Sequence, residues 1–142
     1  MTKSMRFGST VEINAPAEKI WAMFDNPEEW HQWIPSIKKI ERVSKGPLAV
    51  GSQVCVIARA GITFKLLMTI TEFIPGRCVF MQGEILGTKL IRFYTLEPMG
   101  QKTRVTAGGE VSGLLAWLVR QGGQSLSDEI VQSLKKKVEG LE

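Results

Sequence analysis

One histidine, His31, one tyrosine, Tyr94, and two cysteines, Cys55 and Cys78, are all that the 142 residues hold of those types. Neither cysteine belongs to a CxxC pair, so no zinc constellation can be assembled and no disulfide framework is expected. Motifs are scarce too: GxSxG, a phosphate-binding glycine loop and HExxH are all missing, which removes the hydrolases, nucleotide enzymes and zinc peptidases that carry them. No cofactor or metal is expected. Long apolar runs are also missing, since the longest, Gly113 to Val119, falls well short of the roughly 18 residues that a membrane-spanning helix needs. Nor is there an excess of one charge. The net charge is +4, and Lys and Arg are scattered except at Lys38-Lys39 and Lys135 to Lys137, which leaves no footprint for nucleic acid. Met1 to Phe7 has two charges and no apolar core of a signal peptide, so a cytoplasmic protein is expected.

With 44% hydrophobic and 23% charged residues, the composition is that of a globule. The length fits one domain over residues 1–142, as monomer or homodimer. The run from Gly113 to Leu141 is the only one of full helix length. From Leu126, the residues Ile130, Val131, Leu134, Val138 and Leu141 recur three and four apart, with charged and polar residues opposite. In its first half, Leu114, Leu115, Trp117, Leu118 and Val119 spread apolar groups nearly all round. The two stripes are offset across Gly122-Gly123, where glycine weakens a helix by about 1 kcal/mol per residue, so a kink or hinge is expected there.

Phe7 to Asn14 alternates as a first strand. Pro16 suits the first position of a short helix through Asp25, with Ile20, Trp21 and Phe24 on one side. Asn26-Pro27-Glu28-Glu29 reads as the capped start of a second, carrying Trp30, Trp33 and Ile34 and ending before Pro35. Six strands follow: Ile37 to Val43, Gln53 to Arg59, Thr63 to Phe73, Cys78 to Ile85, Lys89 to Glu97 and Thr103 to Val111. Their short links predict an antiparallel meander, packed against the long helix as an α+β fold. Cys55 and Cys78 then lie on strands separated by a third, about 9 to 10 Å apart and beyond disulfide reach.

Phe64, Leu66, Met68 and Ile70 line one face of the third of these six strands, while the strand around Cys55 takes no clear face. A three-residue turn around Gly87 sets Phe80 opposite Tyr94, Gln82 opposite Arg92 and Glu84 opposite Leu90. A four-residue turn at Pro98 to Gln101 pairs Tyr94 with Val105, Arg92 with Ala107 and Leu90 with Gly109. The shared face is apolar except for Gln82, Glu84 and Arg92. Gly108 and Gly109 leave a gap there for a bulge, or for the helix or a ligand to come close.

This order of elements resembles the START-like or Bet v 1-like (SRPBCC) superfamily, in its polyketide cyclase/dehydrase-like branch. The matches are VEINAPAEKIWAMFDNPEEWHQWIPSIKKIE from Val11, EFIPGRCVF from Glu72 and LEPMGQKTRVT from Leu96. The resemblance implies a helix-grip fold, with a curved seven-stranded sheet wrapped around the C-terminal helix. It also implies binding or transport of a hydrophobic small molecule, such as a lipid, polyketide or quinone, in a cavity between sheet and helix. The pocket-lining positions are then Trp33, Phe64, Leu66, Met68, Phe80, Gln82, Leu90, Arg92, Tyr94, Ala107, Gly109 and Leu118. No universal catalytic motif comes with the superfamily.

A charge facing inward is costly unless partnered, so Arg92 either pairs with Glu84 or clamps a ligand anion or carbonyl with its fork of donors. Tyr94 is either a core residue or a group that orients a ligand oxygen or donates a proton. Should the protein be a cyclase or dehydratase, Arg92 and Tyr94 would stabilise an enolate while Glu84 or His31 moves a proton. Otherwise His31 is an exposed helix residue. The four tryptophans, Trp21, Trp30, Trp33 and Trp117, read as packing, with Trp33 and Trp117 placed to flank an entrance. A third reading is a chaperone-activator-like interaction domain that uses the apolar Leu114 to Val119 surface.

Overall fold

Alternating burial along successive strands builds one sheet, and the sheet decides where every other element goes. A computed structural model describes residues 4–60 and 62–140. Strand β1 (Ser4–Ile13) leads to helix α1 (Ala17–Phe24) and a 3₁₀ helix (Pro27–Gln32). Strands β2 (Ile37–Arg42), β3 (Gln53–Ala60), β4 (Ile62–Ile74), β5 (Cys78–Ile85), β6 (Thr88–Met99) and β7 (Lys102–Ser112) follow, and helix α2 (Ala116–Glu139) ends the chain. All seven strands form one antiparallel sheet in the order β1-β7-β6-β5-β4-β3-β2. Register shifts at Ile37/Lys39 and Ile70/Glu72 bend it. The long helix lies across β1 and β7, while α1 and the 3₁₀ helix cover the far side of the same face. This is the helix-grip fold.

The expected face of β4 is found, with Leu66, Met68 and Ile70 buried and Phe64 half-buried. Strand β3, which the sequence left without a face, turns Val54, Val56 and Ala58 the same way, and Cys55 lies on the other side. Both cysteines are free, with β4 between their strands.

Helix α2 differs from expectation at both halves. It begins at Ala116, because Gly113 has φ 126° and a Cβ there would lie 2.7 Å from the Gly87 carbonyl oxygen. It then runs unbroken through Gly122 and Gly123 to a left-handed cap at Gly140; Leu141 lies outside the described residues. The offset of the two stripes has a simpler cause than a hinge. Only the second half buries its stripe, through Ile130, Val131, Leu134 and Val138, whereas Leu114, Trp117 and Leu118 face outward. Asn26 was expected to cap a backbone N–H, but its amide bonds the Glu29 carboxylate, and the segment after it tightens into a 3₁₀ turn. Pro16 precedes the first helical residue as its cap, and its carbonyl accepts from the N–H groups of Lys19 and Ile20.

Candidate functional site

The hairpin registers place the polar side chains, and one of them differs from the expected register by a single residue. The β5–β6 turn is two residues long, Leu86-Gly87, so Ile85 pairs with Thr88, Met81 with Arg92 and Val79 with Tyr94. A slip of one turns a whole strand over. Phe80, Gln82 and Glu84 therefore lie on the outer face, where Phe80 stacks on Phe93 and Glu84 pairs across from Lys89. Gln82 and Glu84 border an open groove of about 340 Å³ there, together with Leu67, Thr69, Gly83 and Lys89. The β6–β7 turn is also two residues, Gly100-Gln101, two shorter than expected. A slip of two keeps the face, so Leu90, Arg92, Tyr94 and Leu96 point inward opposite Val111, Gly109, Ala107 and Val105.

Arg92 is 5% exposed. Its expected partner Glu84 is on the opposite face, and among the described residues no carboxylate lies within ion-pair distance of it. Helix α2 supplies the acceptors instead. Arg92 Nη1 donates to the Gly123 carbonyl at 3.3 Å and Nη2 to the Ser127 hydroxyl at 3.2 Å, while Nε is buried without a partner. The guanidinium lies over two rings, 5.3 Å from the centroid of Phe7 and 5.5 Å from that of Tyr94.

Phe7 explains the glycines. Its ring covers Gly109, where a Cβ would come within 2.4 Å of Cζ, and fits under Gly123, where a Cβ would come within 2.7 Å. The gap expected at Gly108-Gly109 is thus filled on both faces: β1 sends the Phe7 ring over Gly109, between sheet and helix, and the Phe93 ring would lie 2.9 Å from a Cβ on Gly108. Sequence reasoning missed Phe7 and Ser127. The serine had a signal, since it interrupts the apolar stripe that continues through Ile130, Val131 and Leu134.

Tyr94 joins Arg92 to an aromatic cluster. Its ring stacks on Phe24 at 5.2 Å and meets Trp30 edge-on at 5.5 Å, and Phe24 also contacts Trp33 at 5.9 Å. The Trp30 indole N–H is a second buried donor without a partner. Beyond Phe24 and Trp30 lies a cavity of about 20 Å³, room for about one water. It is lined by Trp21, Leu48, Val54, Ile70, Phe73 and Met81, among others. The cavity sits between β3 to β5 and the two short helices, not under α2 as expected, and none of the pocket positions named from the sequence borders it. Trp33, Leu66, Met68, Leu90 and Ala107 are packed in the core, and Leu118 is exposed. His31 is exposed, with Nδ1 3.0 Å from the Glu28 carbonyl oxygen of its own turn.

A family model described as polyketide cyclase/dehydrase and lipid transport matches residues 4–139. The chain belongs to that family. Among solved structures it is similar to a START superfamily protein from Mycobacterium smegmatis, at 20% identity and a TM-score of 0.80, covering 96% of this chain and 99% of that one. It is similar to the Zhui aromatase/cyclase from Streptomyces sp. R1128, at 12% identity and a TM-score of 0.78, covering 96% and 94%. Norcoclaurine synthase from Thalictrum flavum, solved with dopamine and hydroxybenzaldehyde, matches at 16% identity and a TM-score of 0.74, covering 99% and 90%. These likenesses establish the fold. No curated protein matches the sequence.

Proposed function

We propose that the protein binds an apolar small molecule whose polar end carries a hydrogen-bond-accepting oxygen, a carboxylate or carbonyl, held by Arg92. The observation that carries this reading is a set of buried donors in excess of acceptors. Arg92 Nε and Trp30 Nε1 are both buried and unpartnered, and the Tyr94 ring lies between their side chains. An unsatisfied buried donor costs about 1–3 kcal/mol, so a ligand oxygen that met either would recover that energy. Phe24 and Trp30 are a single layer of rings between the 20 Å³ cavity and Tyr94. Binding extends that cavity toward Arg92 by turning those rings aside.

A carrier or binder fits better than a cyclase or dehydratase, because neither candidate base is inside. Glu84 is on the outer face and His31 on the exposed surface. Among the described residues the buried polar and charged side chains are Thr88, Arg92, Thr103 and Ser127, none a carboxylate or histidine, and the ring of Tyr94, the remaining candidate, is packed against Phe24 and Trp30.

Tryptophan fluorescence titration with a medium-chain fatty acid and with its methyl ester tests the reading. Saturable binding of the acid is expected, with a loss of roughly tenfold in Arg92→Met, equivalent to about 1.4 kcal/mol. A smaller loss is expected in Trp30→Phe, which keeps a ring and drops the N–H. Equal affinity of the acid for wild type and Arg92→Met, or no binding of either ligand, would overturn it.

A further inference from the structure

At the end of the molecule away from the Pro75-Gly76 and Gly100-Gln101 turns, two connections touch. The Leu115 N–H donates to the Thr88 hydroxyl at 3.0 Å, and Gly113 packs against Gly87. Each connection holds an apolar side chain out in water beside that contact. Leu86 is 79% exposed and Leu114 84%. Just beyond, in the first turn of α2, Trp117 is 57% and Leu118 49% exposed. The same outward face turns polar at Gln121 and Ser125.

Leu86 is the more telling residue. It is the only non-glycine residue with positive φ among those described, at 47°, in a two-residue hairpin turn whose first position suits asparagine or glycine. A bulky apolar residue there is unfavourable both for the backbone and for its hydration. At 79% exposure its side chain adds little to the core.

The charges around this end have one dominant sign. The same end of the sheet and the start of α2 carry Arg6, Arg59, Lys65, Lys89 and Arg120 against Glu84 and Glu110. Glu110 pairs with Arg6 at 3.9 Å and Glu84 lies across from Lys89, which leaves Arg59, Lys65 and Arg120 in excess. A second copy docked symmetrically on this face would bring like charges together. An anionic bilayer would not. Protruding leucines and a tryptophan beside cations fit the boundary between headgroups and acyl chains, where the indole settles and basic residues meet anionic lipid.

We infer that Leu86, Leu114, Trp117 and Leu118 form a tip that docks the protein reversibly on an anionic lipid surface. Sedimentation with sucrose-loaded vesicles of phosphatidylcholine, with and without phosphatidylglycerol, tests this on the full chain. Binding to the anionic vesicles alone is expected, weakening as salt is raised. Trp117 emission should shift to the blue, because the other three tryptophans are buried. Leu86→Asn relieves the turn and so should keep or raise the melting temperature, yet the Leu86→Asn, Trp117→Ser variant should bind roughly tenfold less or worse. Trp117→Phe should bind nearly as wild type. Failure of the wild-type chain to bind anionic vesicles would overturn the inference, as would undiminished binding by the double variant. So would a self-association, seen by sedimentation velocity, that the double variant abolishes, which would assign the tip to a second copy.

Discussion

The Arg92 guanidinium donates to the Ser127 hydroxyl at 3.2 Å, and Ser127 in turn donates to the Gly123 carbonyl at 2.7 Å. The sheet and the long helix are therefore joined through a buried cation whose acceptors, among the described residues, are all neutral. Removing one of those acceptors leaves more of the cation unsatisfied, so Ser127→Ala should cost about 1–3 kcal/mol. Removing the cation has the opposite sign. Arg92→Met takes an unneutralised charge out of the interior and should hold or raise the melting temperature. In the Arg92→Met background, Ser127→Ala should cost clearly less than in wild type. Urea unfolding of the two single variants and the double variant measures that coupling. Glu84→Gln should add to Arg92→Met within about 0.5 kcal/mol, because the two residues lie on opposite faces of the sheet.

Adjacent glycines in α2 should respond in opposite directions. Gly122 faces open space in the middle of a helix, so Gly122→Ala should stabilise by about 1 kcal/mol. A Cβ on Gly123 would lie 2.7 Å from two atoms of the Phe7 ring. That ring is itself held against Gly109, so it has no room to retreat. Gly123→Ala should destabilise by about 1–3 kcal/mol, and Phe7→Leu in the same chain should recover part of the loss. Thermal melts of the three variants check the signs. A gain in stability for Gly123→Ala would mean that the helix can lift away from β1.

The contrast between those glycines also shows how far local pattern reaches. Periodicity along β4 and over Ile130 to Val138 gave the strands, the long helix and the buried side of each, and it gave the inward positions of Arg92 and Tyr94. It failed wherever one residue of turn length decided the matter. Leu86 occupies a left-handed position that leucine rarely takes, so a longer turn around Gly87 looked natural, and Phe80, Gln82 and Glu84 were put on the wrong face. The pairing of Phe7 with Gly109 joins residues from opposite ends of the chain. No local spacing reports it, and with it went the reason for Gly123.

Cys78 and Cys55 should differ in reactivity. Burial raises the Cys78 thiol above its ordinary pKa, and the Glu72 carboxylate, which accepts its S–H at 3.3 Å, raises it further. A raised pKa leaves less thiolate at a given pH, and the thiolate is the nucleophile. Cys55 is half-buried on the outer face. In the native protein, one thiol should react with an aromatic disulfide reagent quickly and one slowly at mildly alkaline pH, with Cys55→Ser removing the fast phase. Denaturation should release both. A fast phase that survives in Cys55→Ser would show that Cys78 is not shielded.

Acid should loosen the far end of the helix first. A single Glu139 carboxylate oxygen accepts the Asn14 N–H at 2.7 Å and the Lys135 ammonium at 2.9 Å, and that ammonium also reaches the Glu12 carbonyl at 2.8 Å. The Asn14 amide, then Lys135, holds the Glu139 pKa below its ordinary value. A carboxyl whose pKa is lower folded than unfolded adds stability in full above the ordinary glutamate value. That contribution fades as the pH falls through the ordinary range and is gone below the depressed folded value. Glu139→Gln keeps an acceptor but cannot titrate, so its melting temperature should start lower at neutral pH and fall less steeply into acid than that of wild type. The two curves should converge at the acid end. Parallel curves for wild type and Glu139→Gln would mean that the tie between β1 and the end of α2 does not depend on charge.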